Sequence, residues 1–418
     1  MASMGPPGLV ERENSSPTRK STSLAGSTGR QSNPRFVLSA RRRRRMTTMT
    51  PPPPALVDDL VEEILLRLPP DDPAQLVRAS LVCKRWRRLV SDTGFRRSLH
   101  KFHRSPPMLG FFCRADGHGP SHRIRFVPTS ASCPPIADHR CYRVLDARHG
   151  RVLLLLKHPV RECELAVWDP ITGDRRDLPT LHRSANTYNA SVLCGGGTSS
   201  CDRHTCCHCK QFVVVFIGNS GSAGIFACFY SSQSGAWSEP TSLQAQCPPC
   251  CIDPVAGALA GNAVYFLIRF SSKFLKYDLG TKAFSVIDLP ASCYPYGDYY
   301  NYIAPMATKD GGLGFVGVED TRLHLWSWKI DRKGQERWVE SRTIRLKKLI
   351  PVDPVSLFLM PDFVAFADGA RLFLLVTTDG IFSIDLKTLK VRKVYEDFDI
   401  KNIVPFVSFY TPGTSLFI

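Results

Sequence analysis

Five short turns recur beyond residue 105, and they restrict the possible folds of this chain more than any other feature. Trp168-Asp169-Pro170-Ile171-Thr172, Tyr277-Asp278-Leu279-Gly280-Thr281 and Ile384-Asp385-Leu386-Lys387-Thr388 share one order: large apolar residue, Asp, any, any, Thr. Tyr230-Ser231-Ser232-Gln233-Ser234 and Ile330-Asp331-Arg332-Lys333-Gly334 are weaker copies. An Asp or Ser at that place accepts a backbone N–H two or three residues on, tightening a hairpin after a strand whose last side chain packs inward. The Asp and Ser positions step by 62, 47, 53 and 54 residues. Steps of about 40 to 50 residues are those of four-stranded propeller blades, and the long first step holds a Cys-rich segment that reads as a loop insertion.

Runs rich in Val, Ile, Phe, Leu and Tyr lie between the turns, at 151–156, 212–217, 263–268, 313–318, 372–377 and 404–410, separated by Gly, Pro, Asp and Ser clusters. These have strand length and spacing. Five turns, unmatched strands near 107–127 and a closing strand at 404–410 predict a β-propeller of about six blades. A pair of β-sandwiches is the alternative, but it does not predict the recurring turn.

Before residue 105 the period is helical. Leu56, Leu60, Ile64, Leu65 and Leu68 recur three or four apart, with Asp58, Asp59, Glu62 and Glu63 in the first turns, where the helix dipole favours negative charge. Pro69-Pro70 stops this helix. Asp72 is placed to cap a second helix with Pro73 in its first turn and Leu76, Val77 and Leu81 on its apolar side. A third helix carries Val82, Cys83, Trp86, Leu89 and Val90, and Asp92 opens a further short one through Phe95 and Leu99.

The net charge of +17 suggests nucleic acid until its distribution is considered. Residues 1–50 hold ten basic side chains against Glu11 and Glu13, so the tail supplies +8 and the rest is spread without a basic stripe. This Ser-, Pro- and Arg-rich tail is too poor in large apolar side chains to offset its ordering entropy and is predicted disordered. Arg41 to Arg45 fits a nuclear address or a solvated tail, so nucleus and/or cytoplasm is expected. No apolar run reaches the roughly 18 residues of a membrane helix. Fifteen cysteines, an odd number without a secretory leader, point to free thiols in a reducing compartment.

The span Leu56-Val57-Asp58-Asp59-Leu60 through Leu68-Pro69, then Leu76 to Arg87, Leu89 to Asp92 and Phe95, resembles the F-box motif, with Val57 where family members carry proline. Trp168-Asp169-Pro170, Gly311-Gly312-Leu313-Gly314-Phe315 and Leu323-His324-Leu325-Trp326-Ser327 look like the F-box-associated propellers common among plant F-box proteins. The expected fold class is multidomain, α followed by all-β: a disordered basic tail over 1–54, a three-helix F-box over 55–104 and a propeller over 105–418. The resemblance implies a non-catalytic adaptor whose helices bind a Skp1-type protein, and through it a cullin and a RING subunit, while the propeller binds a target protein. About fifty residues make a small core that leaves apolar surface for a partner to cover. Leu56, Leu60, Ile64, Leu65, Leu68, Pro69, Leu76, Val82, Cys83, Trp86 and Leu89 are the candidates for core plus interface, with Trp86 as an anchor.

Three further features invite chemistry. Cys201, His204, Cys206, Cys207, His208 and Cys209 crowd six ligand-type residues into one half-site, whereas structural zinc needs two separated pairs; they read as a free-thiol loop, and no metal or other cofactor is expected. Tyr294, Tyr296, Tyr299 and Tyr300, with Tyr302, form a tyrosine-rich segment suited to target contact or to packing between blades. Hydrolase elbows, Walker loops and His-Glu-x-x-His are all missing from the sequence; the alternatives to an adaptor are a non-ligase propeller scaffold or nucleic-acid-associated protein using the basic tail, and an enzymatic propeller with channel carboxylates.

Overall fold

The computed structural model describes residues 57–115, 123–130, 133, 136, 139–157, 162–195, 211–221, 224–243, 251–269, 271–291, 302–319, 321–350, 364–396 and 400–412. The basic tail predicted disordered lies outside them.

Four helices open the described chain: α1 (Asp58–Leu66), α2 (Pro73–Val82), α3 (Lys84–Ser91) and α4 (Thr93–His103). The three-helix expectation is thus extended by α4, whose N-cap Asp92 accepts the Gly94 N–H. Asp72 does precede α2 with Pro73 in the first turn, but its carboxylate caps no backbone N–H and accepts instead from the Gln75 side chain at 3.0 Å. No helix among the described residues is long and apolar enough to cross a membrane.

The remainder forms six antiparallel sheets arranged as the blades of a propeller. From the centre outward, blade 1 comprises Ile400–Val407, Met108–Ala115, Arg123–Pro128 and His139–Arg140; blade 2 comprises Arg143–Arg148, Arg151–Leu155, Leu165–Trp168 and Arg175–Asp177. Blade 3 runs Thr187–Cys194, Phe212–Asn219, Ile225–Ser231 and Ala236–Trp237, with Thr241–Ser242 also on its third strand. In blade 4 the inner strand is split into Cys251–Ile252 and Ala258–Ala260, ahead of Ala263–Arg269, Lys273–Asp278 and Phe284–Asp288. Blade 5 runs Tyr302–Ala307, Leu313–Glu319, Arg322–Ile330 and Glu336–Arg345, and blade 6 runs Val364–Ala367, Leu372–Thr377, Gly380–Asp385 and Val391–Tyr395. The ring closes where the last strand becomes the innermost strand of blade 1, Phe111 opposite Pro405 and Met108 opposite Val407.

Five of the six apolar runs seen in the sequence are the second strands of blades 2 to 6. Each reads as a continuous apolar run because both of its faces are buried. Alternate side chains serve different inter-blade cores: Leu153 and Leu155 pack toward blade 3, Val152 and Leu154 toward blade 1. Val214 and Phe216 likewise face blade 2 while Val215 and Ile217 face blade 4. Met108, Phe111 and Leu374 share the core between blades 6 and 1, which completes the circle.

The five recurring turns all join the third strand of a blade to its fourth. Asp278 Oδ1 accepts the Gly280 and Thr281 N–H groups at 2.9 Å each, Asp385 Oδ1 those of Lys387 and Thr388 at 2.7 and 3.1 Å, and Asp169 Oδ1 those of Ile171 and Thr172 at 2.9 and 3.2 Å. In the weaker copies Ser231 Oγ accepts the Gln233 N–H at 3.3 Å, and Asp331 Oδ1 those of Lys333 and Gln335 at 2.8 and 2.9 Å. Trp168, Tyr230, Tyr277 and Ile384 are buried before their turns, as expected. Ile330 is not: the third strand of blade 5 runs past its core, leaving this side chain 67 % exposed.

Candidate functional site

The nine residues of α1 carry two apolar faces. Val61 and Leu65, four apart, turn inward and join Leu76, Ala79, Val90, Phe95 and Leu99 in one core, against which Leu66, Leu68, Trp86 and Leu89 pack partly buried. Leu60 and Ile64, also four apart but rotated outward by one residue, are 48 % and 51 % exposed. At the end of α2, Leu81 and Val82 are 63 % and 65 % exposed, and Cys83 follows them as an exposed free thiol. Asp58 pairs with Arg85, so the first turn of α1 sits against the start of α3. Val57, Leu60, Ile64, Leu81, Val82 and Cys83 are thus left exposed on α1 and at the end of α2, uncovered among the described residues.

The predicted set is therefore divided. Leu60, Ile64, Pro69, Val82 and Cys83 are exposed; Leu65 and Leu76 are core; Leu68, Trp86 and Leu89 are partly buried against that core; Leu56 lies outside the described residues. The expectation of a single stripe on α1 is corrected to two faces, and Trp86 packs on the intramolecular core. Val57 and Leu81 join the exposed face, although in the sequence they stood out only as one apolar residue among several.

A further core residue of the helical unit comes from the far end of the chain. Leaving the inner strand of blade 1, the backbone carries Phe409 into the helical core, its ring 4.4 Å from that of His100 in an edge-on contact. Ser91 Oγ donates to the Pro412 carbonyl at 3.1 Å, Ser105 Oγ to that of Gly369 at 2.8 Å, and Val77 of α2 packs on the core between blades 1 and 2. The helices are thus anchored to the propeller, on the face where the Asp turns lie.

The central channel is closed by its own polar groups. Arg148 reaches Asp146 at 3.1 Å, Asp368 at 3.0 Å and the Gly257 carbonyl, and Asp146 accepts the Val192 N–H at 3.0 Å. Asn189 donates to the carbonyls of Asp253 and Val255 at 2.8 Å each, where the inner strand of blade 4 breaks, and Arg143 to that of Pro254. Burial pushes the Asp146 carboxyl up, against the pull of Arg148 and the Val192 and Ala147 N–H groups. Only about 50 Å³ is free there, far below the roughly 300 Å³ of small ligand sites, so these groups bind blades 2, 3, 4 and 6 to one another.

Tyr294, Tyr296, Tyr299 and Tyr300 lie outside the described residues, as does the Cys201–Cys209 cluster. The strands flanking that cluster pair directly, Cys194 opposite Phe212, so the long first step falls between neighbouring strands of blade 3. Five of the eight described cysteines are buried, and burial pushes the thiols of Cys141 and Cys163 up to about 12, where they act as small apolar fillers.

Compared with known families, residues 54–98 match the F-box domain, and residues 143–413 match the β-propeller described as "F-box protein AT5G49610-like". No curated protein matches the chain. Solved structures with similarity include a putative 6-phosphogluconolactonase of Bacteroides fragilis NCTC 9343, at 9 % identity and TM-score 0.38, covering 72 % of this chain and 97 % of that one. Apo AztD of Citrobacter koseri is 12 % identical at TM-score 0.34 (71 % and 97 % covered), and the Cps50 (Swd1) β-propeller domain of Myceliophteria thermophila 11 % identical at 0.36 (70 % and 86 %). At such scores they say nothing of what this chain binds.

Proposed function

The chain belongs to the AT5G49610-like F-box proteins with a β-propeller, and we propose that it is the substrate receptor of a Skp1-cullin-F-box ubiquitin ligase. The observation that carries this is the apolar face of Leu60, Ile64, Leu81 and Val82, exposed on helices whose own core is already filled. Exposed clusters of large apolar side chains mark association surfaces, and helices of a Skp1-type adaptor are the proposed cover. Cullin and RING subunits follow through that adaptor. Ubiquitin transfer is promoted by proximity, the target being held near a charged conjugating enzyme; the chain itself needs no catalytic residue. Residence in nucleus and/or cytoplasm belongs to the same proposal.

Target capture is proposed for the propeller, with Tyr294, Tyr296, Tyr299 and Tyr300 as the first contact to test. Described residues give this an orientation. The strands before and after that segment end at Asp288 and begin at Tyr302, on the face opposite the Asp turns, whereas the helices join the Asp-turn face. If Tyr296→Ala with Tyr299→Ala leaves target capture unchanged in a folded protein, the segment loses this role.

The adaptor proposal is tested by affinity capture of a Skp1-type protein with the full chain. Ile64→Asp is expected to weaken capture at least tenfold, since it places a charge in an apolar interface. Ile330→Asp, on a still more exposed isoleucine of blade 5, is expected to change nothing. Equal capture by both variants contradicts the proposal.

A further inference from the structure

Where α4 meets blade 2, a groove of about 580 Å³ is lined by five arginines: Arg96 and Arg97 from α4, and Arg151, Arg175 and Arg176 from blade 2. Only two carboxylates line it, and that of Asp169 is occupied with the N–H groups of its own turn. Arg175 pairs with Asp177 at 2.8 Å, but among the described residues no carboxylate pairs with Arg96, Arg97 or Arg176. The Arg96 Nε is buried with no acceptor. Phe212 lies beneath Arg151 and Arg176, whose guanidinium carbons are 5.5 and 5.7 Å from its ring centre, which holds both forks over the groove. The first turn of α4 also faces the groove, adding the positive end of its dipole.

Guanidinium groups gathered this way repel one another, and a buried donor without an acceptor costs stability, so the arrangement favours an anion that supplies acceptors to several forks together. Phosphate oxygens match the guanidinium fork in geometry and charge. We propose that this groove binds a ligand carrying two or more phosphate groups, clamped between α4 and blade 2. Its volume falls in the range of about 300–1,000 Å³ usual for small-ligand sites, which admits a short phosphorylated peptide segment or a free polyphosphate. The groove residues are distinct from the exposed apolar face of α1 and α2, so this inference stands apart from the adaptor proposal.

The test is isothermal titration of the full chain with inorganic tripolyphosphate, with a short peptide bearing two phosphoserines, and with the same peptide unphosphorylated. Arg96→Gln with Arg176→Gln is expected to weaken binding of the phosphorylated probes about tenfold or more, as charge-assisted bonds are lost. Arg332→Gln with Arg337→Gln, on the exposed outer hairpin of blade 5, is expected to leave it unchanged. Preference for the phosphopeptide assigns the site to a phosphorylated protein segment, and preference for tripolyphosphate assigns it to a soluble polyphosphate. Absence of binding by both, or equal weakening in both double variants, overturns the proposal. So does a lower melting temperature of the ligand-free groove variant, because the arginines would then be holding the fold together. Capture of the Skp1-type adaptor by the groove variant is expected at the wild-type level.

Discussion

Asp169, Asp278 and Asp385 hold the same place in the same turn, yet their carboxyls shift in different directions. The Thr281 N–H draws the Asp278 carboxyl below the usual carboxylate range. Burial works against the Asp385 carboxyl, but the N–H and hydroxyl of Thr388 outweigh it and the net shift is also downward. At Asp169 burial prevails, and the carboxyl is raised. A depressed folded value means that Asp278 contributes stability above the unfolded value near 3.8, and that this is lost as the pH falls through its lower folded value. For Asp169 the sign reverses, because ionisation works against folding. In thermal melts from pH 7 down to pH 3, Asp278→Asn is expected to be less stable than wild type at pH 7, with the gap closing in acid. Asp169→Asn is expected to match or exceed wild type at pH 7, with no gap at pH 3. The turns were legible in the sequence because an Asp–x–x–Thr order carries its own hydrogen bonds. The burial that separates Asp169 from Asp278 was not, since α4 is brought to blade 2 only by the tertiary fold.

At the scale of elements, α1 shows where periodicity stops informing. Spacings of three and four identify an apolar helix, but Leu60 and Val61 differ by a single step of rotation and meet different surroundings. Leu65→Ala removes a core side chain and is expected to cost about 2–5 kcal/mol in chemical denaturation; Leu60→Ala is expected to stay within about 0.5 kcal/mol, as for ordinary surface changes. Phe409 is the other element-scale surprise. Nothing near residue 409 signals a helical partner, because the contact spans more than three hundred residues of chain and exists only once the ring closes. Phe409→Ala is expected to cost about 3–5 kcal/mol and to raise hydrogen exchange in α3 and α4 while leaving the second strands of blades 3 to 5 protected. Uniform loss of protection would argue that the helices and propeller form one unfolding unit.

At the scale of the whole molecule, the turn spacing foretold the blade number because each blade must bury both faces of its central strand against its neighbours. The polar fastening of the channel stayed hidden, since Asp146, Arg148, Asn189, Asp253 and Asp368 are scattered in sequence and converge only in the closed ring. Replacing Arg148 with Met leaves Asp146 buried without its cation, a change expected to cost about 3–5 kcal/mol, measured by denaturant unfolding. The closed ring and the C-terminal segment together hold the helices in place, so the apolar face of α1 and α2 is presented from a fixed base. Cys83 sits on that face as an exposed thiol, which allows a direct measurement of whether a partner covers it. Thiol alkylation of the full chain, followed peptide by peptide with mass spectrometry, is expected to label Cys83 readily in the free protein and to slow at least tenfold when a Skp1-type adaptor is added. Labelling of Cys83 at the same rate with and without the adaptor would contradict the account.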